Sequence, residues 1–191
     1  SRPAAERRAL AVAAERFGLS SEALDAQITY LSDSNAAGYL SKHDLFEDYR
    51  RLWDDRHPVD VYRADLIRAD GSPVLTLYLH PESGRLTGWQ SRLKASAPAE
   101  LPGAAEPADA LRFASRWGEI ADDWIWDGRM PEAPQRGYLF LSRQQNVGEA
   151  ELALRVVPPA AGVDPQAASA SSGEDWSGAS VTYEIRVPEP F

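Results

Sequence analysis

Apolar positions recur along the chain with two periods, and the switches between them mark out the elements. From Pro3 to Phe17 the residues Leu10, Ala13, Ala14 and Phe17 fall at i, i+3, i+4 and i+7, which predicts a helix that Gly18 ends. Ser20 starts a short turn or helix to about Gln27, Ile28–Leu31 reads as a brief strand, and 32–38 reads as a turn. Ser41 is a good N-cap with Asp44 three residues on, so a helix is expected to about Trp53 with Phe46, Tyr49 and Trp53 on one face. His57-Pro58 closes it, because the residue before a proline avoids the helical region.

The period then drops to two. In 59–68, Tyr62, Ala64 and Leu66 share a face, and Ala69-Asp70-Gly71-Ser72 is a hairpin turn. In 74–80, Leu75, Leu77 and Leu79 share a face opposite Thr76 and Tyr78. Pro81-Glu82-Ser83-Gly84 turns the chain into a third strand over 85–90, carrying Leu86 and Trp89. An antiparallel meander with one covered face follows, and the preceding helices are its natural cover.

Residues 94–107, rich in Ala, Pro and Glu, read as a linker between a first unit, 1–93, and a second, 108–191. The second begins with a helix over 108–117, with Ala110, Phe113, Ala114 and Trp117 on one face. Strands or tight turns follow at 122–127, 137–143, 151–157 and 181–187, with a mobile loop over 158–178. Both units run helix first, meander second. The expected fold class is α+β: antiparallel β-meander sheets with helices packed on one face, in a duplicated plan.

Charge narrows the partners. The net charge is −9, which argues against nucleic acid, whose phosphates are held by clustered Lys and Arg. Residues 1–95 carry 13 basic and 14 acidic side chains, and 96–191 carry 7 and 15, so the second half is the acidic one. Such a surface suits a basic partner or a cation, or serves solubility alone. The absence of cysteine removes thiolate metal sites, thiol catalysis and disulfides. No apolar run is long enough for a membrane span and no signal peptide is visible, so no membrane insertion is expected within the chain. The chain opens at Ser1, already at a helix approach, as a piece of something longer would.

Candidate chemistry is sparse. His43 and Glu47, four apart on the expected helix and flanked by Asp44 and Asp48, offer a divalent-metal face, but HExxH spacing is absent. Asp122, Asp123 and Asp127-Gly128 lack calcium-loop spacing. There is no GxSxG, P-loop or GxGxxG. Trp117, Trp124, Trp126 and Tyr138 make the one aromatic cluster, either core or a patch that stacks on a sugar or anchors a peptide. No catalytic residue, metal ligand or cofactor is assigned.

The segment Leu79, His80, Pro81, Glu82, Ser83, Gly84, Arg85 and Leu86, set between strands, resembles the turn of PepSY-type modules. His80 stands where that family usually has Asp, and Ser83 where it has Thr. The helix at 108–117 followed by 137–143 resembles a second, more divergent copy. The resemblance implies a binding or inhibitory module of extracytoplasmic bacterial proteins, such as protease propeptides and repeated lipoprotein domains. The stretches 39–53 and 57–66 also resemble extracytoplasmic parts of Gram-positive membrane proteins, among them CAAX-type intramembrane proteases. The expected role is therefore non-enzymatic recognition or regulation of a protein or peptide partner outside the cytoplasm, as a secreted or membrane-tethered PepSY-like module or the ectodomain of a membrane protein. A carbohydrate-binding module built on the Trp cluster and a metal-dependent hydrolase are the alternatives.

Overall fold

Ser1 caps the first helix, α1 (Arg2–Phe17), its Oγ accepting the Ala4 N–H at 3.4 Å. Gly18 ends the helix in the left-handed region (φ 65°), and the Leu19 N–H returns to the Ala13 carbonyl at 3.0 Å. This is the start of a computed structural model, which describes residues 1–94, 106–117, 123–143, 146–159 and 176–188. The buried face of α1 is Ala5, Ala9, Val12, Ala13 and Phe17, whereas Ala14, expected inside, is exposed. Three alanines on that face let the helix lie close against the sheet.

The next segment keeps the expected strand at Ile28–Leu31 but departs from expectation before it. Only Ser21–Ala23 forms a 3₁₀ turn, and β1 (Leu24–Ser32) occupies the rest. It pairs without interruption with β2 (Asp60–Arg68), from Leu24 opposite Arg68 to Ser32 opposite Asp60. Nine cross-strand pairs outweigh a weak local helix signal. The expected turn at 32–38 is the start of α2 (Ser34–Lys42), capped by Asp33, whose Oδ1 accepts the Ala36 N–H at 3.1 Å. Asp44 adopts a left-handed φ of 54°, so the helix expected from Ser41 to Trp53 is two helices, α2 and α3 (Phe46–Leu52).

The meander appears as read: β3 (Pro73–Leu79) and β4 (Leu86–Ser91) follow β2. The second half has α4 (Pro107–Trp117), then β5 (Trp124–Arg129), β6 (Tyr138–Ser142), β7 (Glu151–Val157) and β8 (Ser180–Arg186). The expected linker lies largely outside the described residues, except that Pro107 already belongs to α4. Most of the loop expected at 158–178 also lies outside them, but Trp176 is described and fully buried.

All eight strands form one antiparallel sheet in the order β1-β2-β3-β4-β8-β7-β6-β5, so the fold is α+β. The order is a palindrome: each half is a helix followed by four antiparallel strands, with α2 and α3 inserted between β1 and β2 in the first, and the last strands meet at the centre. That seam is short, with Trp89 opposite Val181 and Gln90 opposite Ser180.

Helices α1 and α4 cover one face. Buried Leu77, Trp89, Val181, Val156 and Tyr138 are consecutive cross-strand neighbours beneath them. Trp89 meets Phe17 of α1 edge-on at 5.0 Å and Phe113 of α4 at 6.1 Å, so one side chain ties both helices to the seam. Trp176 joins the cluster, 5.4 Å from Phe17, and its indole N–H donates to the Phe17 carbonyl at 3.3 Å. Truncating a buried tryptophan of this kind costs about 3–5 kcal/mol.

The long β1–β2 connection locks the halves together. The Tyr39 hydroxyl accepts the Glu149 N–H at 2.9 Å, and the Tyr183 hydroxyl donates to the Pro58 carbonyl at 2.6 Å. His57 lies edge-on to Tyr183 at 4.9 Å and to Trp124 at 5.9 Å.

Candidate functional site: a trough where the central strands part

Beyond the Trp89–Val181 pair, β4 and β8 stop pairing. Gly88 sits at this point, and a Cβ there would lie 3.1 Å from the Val181 carbonyl oxygen. A side chain is therefore disfavoured, and the face opposite the helices opens into a cleft of about 430 Å³. Its floor is Tyr78, Gly88, Gln90 and Thr182, and its apolar walls are Leu31, Pro58, Val59, Val61 and Ile185. The charged lining residues are two acids, Asp33 and Glu184.

The polar groups are held in place. Asp33 spends Oδ1 on the N-cap of α2. Glu184 receives Arg186 Nε at 2.9 Å and Arg155 Nη1 at 3.3 Å, both on Oε1. At the rim, Ser32 Oγ donates to Asp60 at 2.5 Å. Burial, with the nearby Asp33 and Asp54 carboxylates adding to it, pushes the Tyr183 phenol far above its ordinary range, so it stays a donor and cannot act as a base.

A second cleft of about 370 Å³ opens on the far side of the Gln90–Ser180 pair, with Glu132, Arg136 and Arg155 among its lining. Gln90 and Thr182 line both clefts, so the two lie side by side across the seam, and together they are called the trough. In chemical terms the larger cleft offers apolar walls, hydrogen-bonding side chains and two carboxylates, and the smaller one a carboxylate with two guanidiniums.

The aromatic cluster lies elsewhere. Trp126 on β5 is exposed and sits 5.6 Å from the buried Tyr138 and 5.9 Å from Phe140. The Arg129 guanidinium is 4.0 Å from the Tyr138 ring centre and 6.0 Å from that of Trp126. Trp124 is buried and turned to His57. Trp117 is the last residue of α4, and its side chain lies outside the described residues. Trp126 and Tyr138 are thus brought together, and Trp126 alone of the described members presents a broad face to solvent.

The other candidates are separated or used structurally. His43 caps the end of α2 and Glu47 opens α3, so the shared helical face expected of them does not form. Among the described residues no group of three or more His, Asp or Glu is placed to hold a metal. Asp122 lies outside the described residues, and Asp127 is ion-paired with Arg186 at 3.6 Å. His80 Nδ1 accepts the N–H groups of Glu82 (3.1 Å) and Ser83 (3.2 Å), which is how histidine builds this turn.

Sequence reading passed over Leu31, Asp33, Gly88, Thr182 and Glu184. One signal was available: a glycine inside a strand marks a close backbone approach, and Gly88 lies inside β4. No helix among the described residues is long and apolar enough to cross a membrane. Comparison of the chain with protein-family models, curated proteins and solved structures finds no significant match.

Proposed function

We propose that this chain is a non-catalytic recognition module that holds an extended segment of another protein in the trough across its central seam. The observation that carries the reading is the pairing of two clefts, of about 430 and 370 Å³, that share Gln90 and Thr182 in their linings. Two half-apolar clefts side by side suit a peptide in extended conformation better than a compact metabolite, which would be enclosed more fully. The test is to fill the junction. Thr182→Trp puts a large side chain into the trough on the face away from α1 and α4. Titration of blocked hexapeptides of varied sequence, followed by calorimetry, should show binding to the native chain and its loss in this variant, with the melting temperature kept. Peptide binding that survives the substitution would place the site elsewhere.

The module is further proposed to work outside the cytoplasm as the ectodomain of a membrane protein. This reading is supported by the resemblance of the segment 79–86 to PepSY-type turns. Fractionation of native cells tests it: the chain is expected in the membrane or exported fraction, and a cytoplasmic pool would remove it.

A second reading has one observation in its favour, the exposed Trp126 ring beside Tyr138 and Arg129. Such a ring can stack on a sugar. A saturable shift in Trp fluorescence on adding a wall polysaccharide, lost in Trp126→Ala, would transfer the function to that edge.

A further inference from the structure

The larger cleft has a chemical polarity that selects among extended segments. We infer that it receives a lysine or arginine side chain of the bound polypeptide, the aliphatic stem against its apolar walls and the charged head between Asp33 and Glu184. The inference rests on the peptide-holding role proposed above and names what that peptide must carry.

Three features lead to it. Leu31, Val59, Val61 and Ile185 give the cleft apolar walls, which a purely ionic ligand would not use but a long aliphatic stem would. Its charged lining residues are both acids, and neither Lys nor Arg lines it. An acidic ligand would find no basic residue in the lining, whereas a cationic one finds two carboxylates.

The contacts described for each carboxylate fall on one oxygen. The Asp33 cap uses Oδ1, and both arginine contacts of Glu184 fall on Oε1. The arginines beside Glu184 do not cancel the field, because they are shared. Arg155 is also paired with Glu132, and Arg186 with Asp127, so two guanidiniums face three carboxylates. Asp60 at the rim adds another negative charge. The complementary chemistry is an ammonium or guanidinium on a flexible apolar stem, which a peptide side chain or a free polyamine would supply. The commitment is to the peptide, because the second cleft adjoins the first at Gln90 and Thr182 and would otherwise stand empty.

The experiment compares blocked peptides Thr-Val-Xaa-Val-Thr with Xaa arginine, lysine, citrulline or glutamate, and spermidine, by calorimetry on the native chain. The arginine and lysine peptides should bind about tenfold or more tightly than the citrulline one, the weight of a charge-assisted hydrogen bond, and the glutamate peptide more weakly still. The preference should shrink with added salt. Asp33→Asn removes the charge while keeping a residue that caps helices well, so it should cut the arginine peptide's affinity several-fold without lowering the melting temperature. Equal binding of all four peptides would overturn the cation inference and leave the trough reading standing. No binding by any peptide would overturn both. Spermidine binding more tightly than the arginine peptide would keep the charge recognition but overturn a polypeptide as its source.

Discussion

His57 shows how one residue can make the fold depend on pH. It is half-buried, its Nδ1 is sealed from solvent with no hydrogen-bond partner, and its ring lies between Trp124 and Tyr183. Burial, with Arg56 nearby adding to it, lowers its pKa from 6.5 to about 4. The unfolded chain therefore takes up the proton first as pH falls. Stability from the neutral ring is complete above about pH 6.5, declines as pH drops, and is fully lost below about pH 4. The span corresponds to about 3 kcal/mol at most. Denaturant unfolding of the native chain and of His57→Leu, measured from neutral to acid pH, checks it. The difference between the two should shift in favour of leucine on acidification across that window, and a constant difference would show that His57 is freely solvated. At the same scale, Gly88 was legible from its place within a strand. Asp33 was not, because its role as a helix cap depends on a helix hidden in what reads as a turn.

Among the elements, those with a strong period-two signal were readable. Leu75, Leu77 and Leu79 line the inner face of β3 as their alternation requires. The elements that were misread owe their form to distant partners. The strand read at Ile28–Leu31 is the middle of β1, but its full length, Leu24–Ser32, is set by the nine pairs that β2 offers. The break between α2 and α3 falls at Asp44, whose backbone is left-handed. Gly148, in the second half (φ 59°), lies so close to α2 that a Cβ there would fall 2.6 Å from Leu45 Cδ1 and 2.7 Å from the Tyr39 hydroxyl. Gly148→Ala should therefore destabilise the chain by about 1–3 kcal/mol, from overpacking plus the left-handed backbone. Gly71→Ala is the control: its φ is also positive (87°), but nothing lies within 4 Å of its Cβ position. Chemical denaturation should give a clearly larger loss at Gly148, and equal losses would mean that α2 yields easily.

At the scale of the whole molecule, the helix-then-meander order of each half was readable in the sequence, but the joining of both meanders into one open sheet was not. An open sheet has two free edges, and β1 and β5 are those edges. The exposed large apolar side chains of the described residues are Tyr30 (48%) and Leu31 (37%) on β1, and Ile125 (46%) and Trp126 (42%) on β5. The two edges are guarded differently. β5 is short, bulged between Trp126 and Gly128, and carries Asp127 and Arg129. β1 is nine residues long, pairs with β2 without a bulge, and has no charge from Ala26 to Ser32. Bare edges of that kind add strands from other chains, and a lysine is the usual guard. The native chain should accordingly self-associate with rising concentration through β1. Gln27→Lys adds the guard at an exposed position opposite Asp65, where the new charge meets no like charge across the pair. Sedimentation velocity over a concentration series should show association weakened by Gln27→Lys and little changed by Ile125→Lys. The reverse pattern would make β5 the adhesive edge, and would mean that its bulge and charges do not protect it.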